Sequence, residues 1–151
     1  MGQPLAPPST REVRTLIRAD PDDGTGGLRH TAHVPLTLVI VDDHADFRVV
    51  ARTLLDGARL DVVGEAVDAR DAVEMCASLR PDVVLVDVHL PDADGFELAR
   101  LLADLDPTPE VVLTSSRPMT DLRSRLARVP ARGFLTKSDL SAEAIMELLR
   151  R

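Results

Sequence analysis

Five polar residues stand at the ends of apolar runs in this chain. LVIVDDH at 38–44 closes on Asp42 and Asp43, and DVVLVDVHLPDADG at 82–95 carries Asp87. LTSS at 113–116 carries Thr114, and GFLTK at 133–137 ends on Lys137. Each run is apolar up to its polar end, which places these groups at the rim of a buried layer. Three carboxylates in one cleft repel one another. A hard divalent cation relieves the repulsion, and oxygen-only ligation suits Mg²⁺ with several retained waters. An aspartate held beside such an ion can attack a phosphoryl group and form an aspartyl phosphate. A lysine ammonium and a hydroxyl donor would then share the equatorial oxygens with the metal. Lys137 and Thr114 fit those two roles. Lys137 is the only lysine among 18 Lys+Arg residues, in a chain that otherwise uses arginine for its positive charge.

The elements that must position these residues alternate strand with helix from residue 36 on. The strand candidates are 36–41, 60–64, 82–86, 110–114 and 132–135. The first, third and fourth are continuous runs rich in β-branched residues and leucine, as expected for strands covered on both faces. Amphipathic helices are expected between them. Residues 45–56 offer Phe47, Val50, Ala51 and Leu54 on one face, and 69–79 offer Ala72, Met75, Cys76 and Leu79. Residues 94–105 offer Leu98, Leu101, Leu102 and Leu105. A polar helix over 119–128 has only Leu122 and Leu126, and a last helix over 141–150 starts at a Ser141 cap. Five βα units imply an α/β fold, a doubly wound five-stranded parallel sheet with helices on both faces. In such a sheet, ligands bind beyond the carboxyl ends of the strands, where the five polar residues lie. Pro91 and Gly95 shape the turn after Asp87, and Phe96 begins the next helix. His44 reads as a solvated loop residue.

The 151 residues are 44% hydrophobic and 28% charged, with a net charge of -7 and one cysteine. The charge argues against a direct nucleic-acid surface or an anionic-membrane surface. A single cysteine, Cys76, allows no intrachain disulfide and suits a reducing, cytoplasmic setting. No apolar run is long enough to span a membrane, and no signal-peptide pattern opens the chain. Residues 1–34 read as a flexible N-terminal extension ahead of one domain at 35–151. Within it, Ser9 and Glu12 form a capping-box pattern, with Val13, Leu16 and Ile17 on one face of a short helix.

The five positions in order, with the loop D-x-x-x-P-x-x-x-G as DVHLPDADG, resemble the receiver domain of bacterial two-component response regulators. The resemblance covers roughly residues 36–151 and implies the flavodoxin-like (βα)5 receiver fold. It implies that Asp87 is the phosphoacceptor and that Thr114 and Lys137 assist. Asp43, Asp87 and the backbone carbonyl of His89 would hold Mg²⁺ directly, with Asp42 acting largely through water. Thr114 and Phe134 would form the switch, although Phe134 also fits a fixed core aromatic. His89 and Ser116 lie two residues after Asp87 and Thr114, where side chains would modulate phosphoryl lifetime.

The implied partners are a histidine kinase or a histidine phosphotransfer protein. An output protein would read the face of helix 4, strand 5 and helix 5, and a homodimer on phosphorylation is open. The chain is expected to be no enzyme beyond its own phosphorylation and dephosphorylation, and to carry no output domain. Two departures stand out. Ser138 follows the lysine where the family often has a cis-proline, so a cis bond is not expected there. The segment before strand 5 is poor in large apolar residues, so helix 4 is expected to be short. Two other readings stay open. One is a phosphorylation-independent interaction domain. The other is a haloacid-dehalogenase-type phosphatase, which needs a second Asp where this chain has His89.

Overall fold

A computed structural model describes residues 34–151. The proposed helix near Ser9, and the rest of the expected extension through residue 33, lie outside the described residues. Five strands, β1 (Leu36–Val41), β2 (Leu60–Ala66), β3 (Val83–Asp87), β4 (Glu110–Ser115) and β5 (Gly133–Thr136), form one sheet in the order β2-β1-β3-β4-β5. Every neighbouring pair is parallel. The chain steps from β1 outward to β2, then returns across β1 to β3. The order therefore reverses between β1 and β3, which opens the crevice at their carboxyl ends.

Five helices cover the sheet: α1 (Ala45–Leu55), α2 (Ala69–Leu79), α3 (Gly95–Leu102), α4 (Leu122–Leu126) and α5 (Ala142–Arg150). Side chains alternate between the two faces of a strand, and two apolar cores result. Val39, Val41, Val84, Val86 and Leu113 face α2 and α3, with Phe96, Leu98 and Leu102. Leu38, Ile40, Val83, Leu85 and Val112 face α1 and α5, with Ala51, Leu55 and Ile145. Both rows are closed to water on the central strands, so β1, β3 and β4 read as nearly continuous apolar runs.

Several elements differ from the sequence expectation. Strand β2 runs on to Ala66, past a register shift opposite Leu38 and Val39. The first helix turns a different face inward: Ala51 and Leu55 are buried, while Val50 and Leu54 are 52% and 48% exposed. Two neighbouring stripes are available on so short a helix, and ion pairs choose between them. Arg48 Nε and Arg52 Nη2 lie 3.2 and 3.0 Å from the Glu65 carboxylate on β2, which turns the Phe47–Ala51–Leu55 stripe inward. Helix α3 stops at Leu102, and Phe96 and Ala99 take the core place expected of Leu101, which is exposed. Helix α4 has five residues and none is fully buried, as its apolar-poor sequence implies. A 3₁₀ turn over Lys137–Asp139 follows β5 and was not evident in the sequence. Among the described residues the one cis peptide is Asp106–Pro107, so the Lys137–Ser138 bond is trans. No helix of the described residues is long and apolar enough to cross a membrane.

Candidate functional site

The core row facing α1 and α5 supplies the site. Along β1 it reads Leu38, Ile40, Asp42; along β3 it reads Val83, Leu85, Asp87; along β4, Val112 is followed by Thr114. On β5, Leu135 is followed two residues later by Lys137. Period-two alternation therefore carries a polar group to the same side of the sheet at each carboxyl end. Asp42 and Thr114 are 0% exposed and Asp87 is 3% exposed, so three polar groups sit at the top of an apolar layer.

Lys137 joins them. Its Nζ lies 2.6 Å from Asp42 Oδ2 and 3.3 Å from Asp87 Oδ2. The contact to Asp87 is a hydrogen bond, and the one to Asp42 is a close ion pair. The ammonium also stands 4.1 Å from the centroid of the Phe47 ring, a cation–π contact from α1. Asp87 Oδ1 accepts the His89 backbone N–H at 3.1 Å. Asp42 Oδ1 accepts the His44 N–H at 2.8 Å, and the Asp42 carbonyl accepts Arg48 Nη1–H at 2.7 Å.

The two buried carboxyls are driven in opposite directions. Burial is the largest influence on Asp42 and raises it, but Lys137 and the His44 amide and ring together hold it below the ordinary carboxylate value. Burial also raises Asp87. There the His89 amide and Lys137 pull down, the Asp42 charge pushes up, and the balance lies above the ordinary value. Asp42 is thus the lysine's ionised partner, and Asp87 is the carboxylate that most needs a further cation.

The turn after Asp87 is built for close approach. A Cβ added at Gly95 would fall 2.6 Å from the Asp87 carbonyl oxygen and 2.9 Å from Val88 Cα. Only glycine lets α3 start so near the strand end. Asp94 caps α3 by accepting the Glu97 N–H at 2.8 Å. Asp92, in the same turn, accepts the Ala69 and Arg70 N–H groups at 2.9 and 3.1 Å, and so ties the turn to the start of α2.

Asp42, Asp43, Asp87 and Lys137 come together as the sequence implies, and Thr114 pairs with Asp87 across β3 and β4. The Thr114 hydroxyl is buried and has no hydrogen-bond partner among the described residues. Phe134 pairs with Leu113 and packs, partly buried, on the opposite face of the sheet, toward α3 and α4. The His89 side chain and Ser116 are exposed beside the site. His44 is not merely a solvated loop residue: its Nδ1 lies 3.0 Å from Asp42 Oδ1 and 3.1 Å from Asp43 Oδ1. Ligand atoms of Asp42, Asp43, His44 and Asp87 all fall within 4.8 Å of one another. Three carboxylates face one ammonium there, an excess of negative charge held on hard oxygen donors. That donor set fits a hard divalent cation such as Mg²⁺. The roles of Phe47 and Arg48 had one sequence signal, their place in the first turn of the helix after the acid pair.

Comparison with known proteins agrees with this geometry. The family model described as the response regulator receiver domain matches residues 38–150. A protein-glutamate methylesterase/protein-glutamine glutaminase of Archaeoglobus fulgidus is 35% identical over 69% of this chain and 30% of its own length. The chemotaxis protein CheY of Thermotoga maritima is 28% identical over 66% of this chain and 83% of its own. The chain thus spans less than a third of the methylesterase. The receiver domain of the response regulator NarL from Mycobacterium tuberculosis superimposes with a TM-score of 0.70 at 28% identity. That match covers 77% of this chain and 97% of the other.

Proposed function

The chain belongs to the response regulator receiver domain family, and from that premise we propose that it accepts a phosphoryl group on Asp87 in a Mg²⁺-dependent reaction. The donor is a histidine kinase or a histidine phosphotransfer protein. The observation that carries this reading is Lys137 held between Asp42 and Asp87, beside a buried Thr114 hydroxyl that has no partner among the described residues.

In the transfer, a carboxylate oxygen of Asp87 forms a bond to phosphorus as the P–N bond of a phosphohistidine breaks. The imidazole nitrogen of the donor keeps that electron pair. Asp43, Asp87 and the His89 carbonyl would hold the metal ion, with Asp42 beside it. When bound, the ion offsets the charge that gathers on the equatorial oxygens. Lys137 supplies a positive charge fixed beside Asp87 by the Phe47 ring and Asp42, so no side chain need be gathered at the moment of reaction. The Thr114 hydroxyl gains its missing partner when a phosphoryl oxygen arrives. An unpaired buried hydroxyl costs about 1–3 kcal/mol, which is the force available to draw Thr114 toward the phosphoryl group.

Movement of Thr114 at the end of β4 would reach Phe134 on β5 and the short α4. The signal is then read by protein contact on the α4–β5–α5 face, by a partner or by a second copy of this chain. The protein acts in the cytoplasm and catalyses nothing beyond its own phosphorylation and dephosphorylation. His89 and Ser116 border the phosphoryl position and set how readily water reaches it.

A phosphate-affinity gel of the purified chain with acetyl phosphate or a phosphorylated kinase tests the reading. A retarded band that needs both Mg²⁺ and Asp87 is expected. A folded protein that gives no such band with either donor would be a phosphorylation-independent interaction domain instead.

A further inference from the structure

We propose that His44 is a nitrogen ligand of the cation at this site, so that the site takes later first-row ions such as Co²⁺ and Zn²⁺ well ahead of Mg²⁺. The inference rests on the phosphoacceptor reading of the same site and concerns one residue that reading leaves without a role.

The geometry is that of a ligand. His44 Nδ1 lies 3.0 Å from Asp42 Oδ1 and 3.1 Å from Asp43 Oδ1. Cis ligands about 2.1 Å from an octahedral ion are roughly 3.0 Å apart, and trans ligands roughly 4.2 Å. The separation from Asp43 therefore matches an edge of one octahedron, with Asp42 beside it. Ligand atoms of Asp42, Asp43, His44 and Asp87 lie within 4.8 Å of one another, so Asp43, His44 and Asp87 reach one ion with a small inward movement and Asp42 stays beside it. His44 can make that movement, because its side chain is 67% exposed: its backbone N–H stays on Asp42 Oδ1 while the ring exchanges its Nδ1 hydrogen bond to that oxygen for the ion. The buried Thr114 hydroxyl, without a partner among the described residues and in register with Asp87, independently marks this strand edge as a place that awaits a ligand.

The chemistry then follows from donor type. Carboxylate and carbonyl oxygens alone suit Mg²⁺ and Mn²⁺, whereas an imidazole nitrogen favours later ions such as Co²⁺ and Zn²⁺. The tautomer that carries its proton on Nε2 presents the Nδ1 lone pair to the ion, and Nε2 then faces solvent. The consequence is a receiver site whose loading depends on which divalent ion is available.

Co²⁺ and Mg²⁺ binding to the full chain, followed by calorimetry and by the Co²⁺ absorption spectrum, tests this. Only Co²⁺ that excess Mg²⁺ displaces is counted, which sets aside binding by His30 and His33. The wild type should hold this Co²⁺ at least about tenfold more tightly than Mg²⁺, and His44→Ala should lose most of that preference. Mg²⁺ affinity should change by no more than about twofold, since the carboxylates remain. Displaceable Co²⁺ binding unchanged in affinity and spectrum by His44→Ala would overturn the role of His44 and leave the phosphoacceptor reading intact. Absence of Mg²⁺ binding in the wild type would overturn both.

Discussion

Lys137 stands closer to Asp42 than to Asp87, with its Nζ 2.6 Å from Asp42 Oδ2 and 3.3 Å from Asp87 Oδ2. The lysine is thus anchored on the carboxylate that stays ionised and reaches across to the proposed phosphoacceptor. Lys137→Met keeps the chain length and removes the charge, which leaves the buried Asp42 carboxylate without its cation. Breaking a buried pair in this way should cost roughly 3 kcal/mol in urea denaturation without divalent ions. An unchanged midpoint would mean that the pair contributes nothing to the resting fold.

Asp87 gives a pH-dependent counterpart. Burial and the Asp42 charge raise its folded-state value above the ordinary 3.8. A carboxyl raised in this way stabilises the fold while protonated, and that contribution is lost as pH rises from 3.8 through the elevated value. At neutral pH the ionised Asp87 therefore weakens the metal-free protein. Asp87→Asn should be more stable by on the order of 1 kcal/mol with divalent ions chelated. The difference should shrink as pH falls, and added Mg²⁺ should favour the wild type. A less stable Asn variant at neutral pH in chelator would contradict the assignment.

Thr114→Val replaces the partnerless hydroxyl with a methyl group of the same shape. Resting stability should stay the same or rise by up to about 1 kcal/mol, because no hydrogen bond is lost. Phosphorylation, by contrast, should no longer change hydrogen exchange in β5 and α4. Retention of that change in the Val variant would remove Thr114 from the switch.

The short α4, whose Leu122 and Leu126 pack on the core, is also clasped by a side chain that sequence pattern did not reveal. Arg125 lies 3.9 Å from the centroid of the Phe96 ring, and its Nη2 is 3.3 Å from Asp94 Oδ2 at the cap of α3. Arg125→Ala should cost about 1 kcal/mol. It should also speed exchange of the α4 amides at least about tenfold, with little effect in α1 or α5. Uniform exchange changes across the domain would argue against a local clasp.

The sheet was legible in the sequence because β1, β3 and β4 are buried on both faces and read as continuous apolar runs. The five site residues were legible because each ends such a run, and their spacing matches a known family pattern. Period-two alternation also explains why they share one side of the sheet, with Phe134 on the other. What was not legible depends on partners distant in sequence. The rotation of α1 is set by Glu65 on β2, and the cap that Asp92 places on α2 joins two loops. His44 needed the fold to bring its ring against two carboxylates, since beside an acid pair in sequence a histidine is as readily solvated. The 3₁₀ turn that starts at Lys137 left no clear pattern in KSD.

The central claim is that Asp87 carries the phosphoryl group, and borohydride trapping followed by peptide mapping tests it most directly. After incubation with a phosphorylated histidine kinase and Mg²⁺, reduction should convert residue 87 to homoserine, with no conversion when the ion is chelated. Conversion at Asp42 or Asp43 instead, or at no aspartate while the kinase loses its phosphoryl group, would contradict the account.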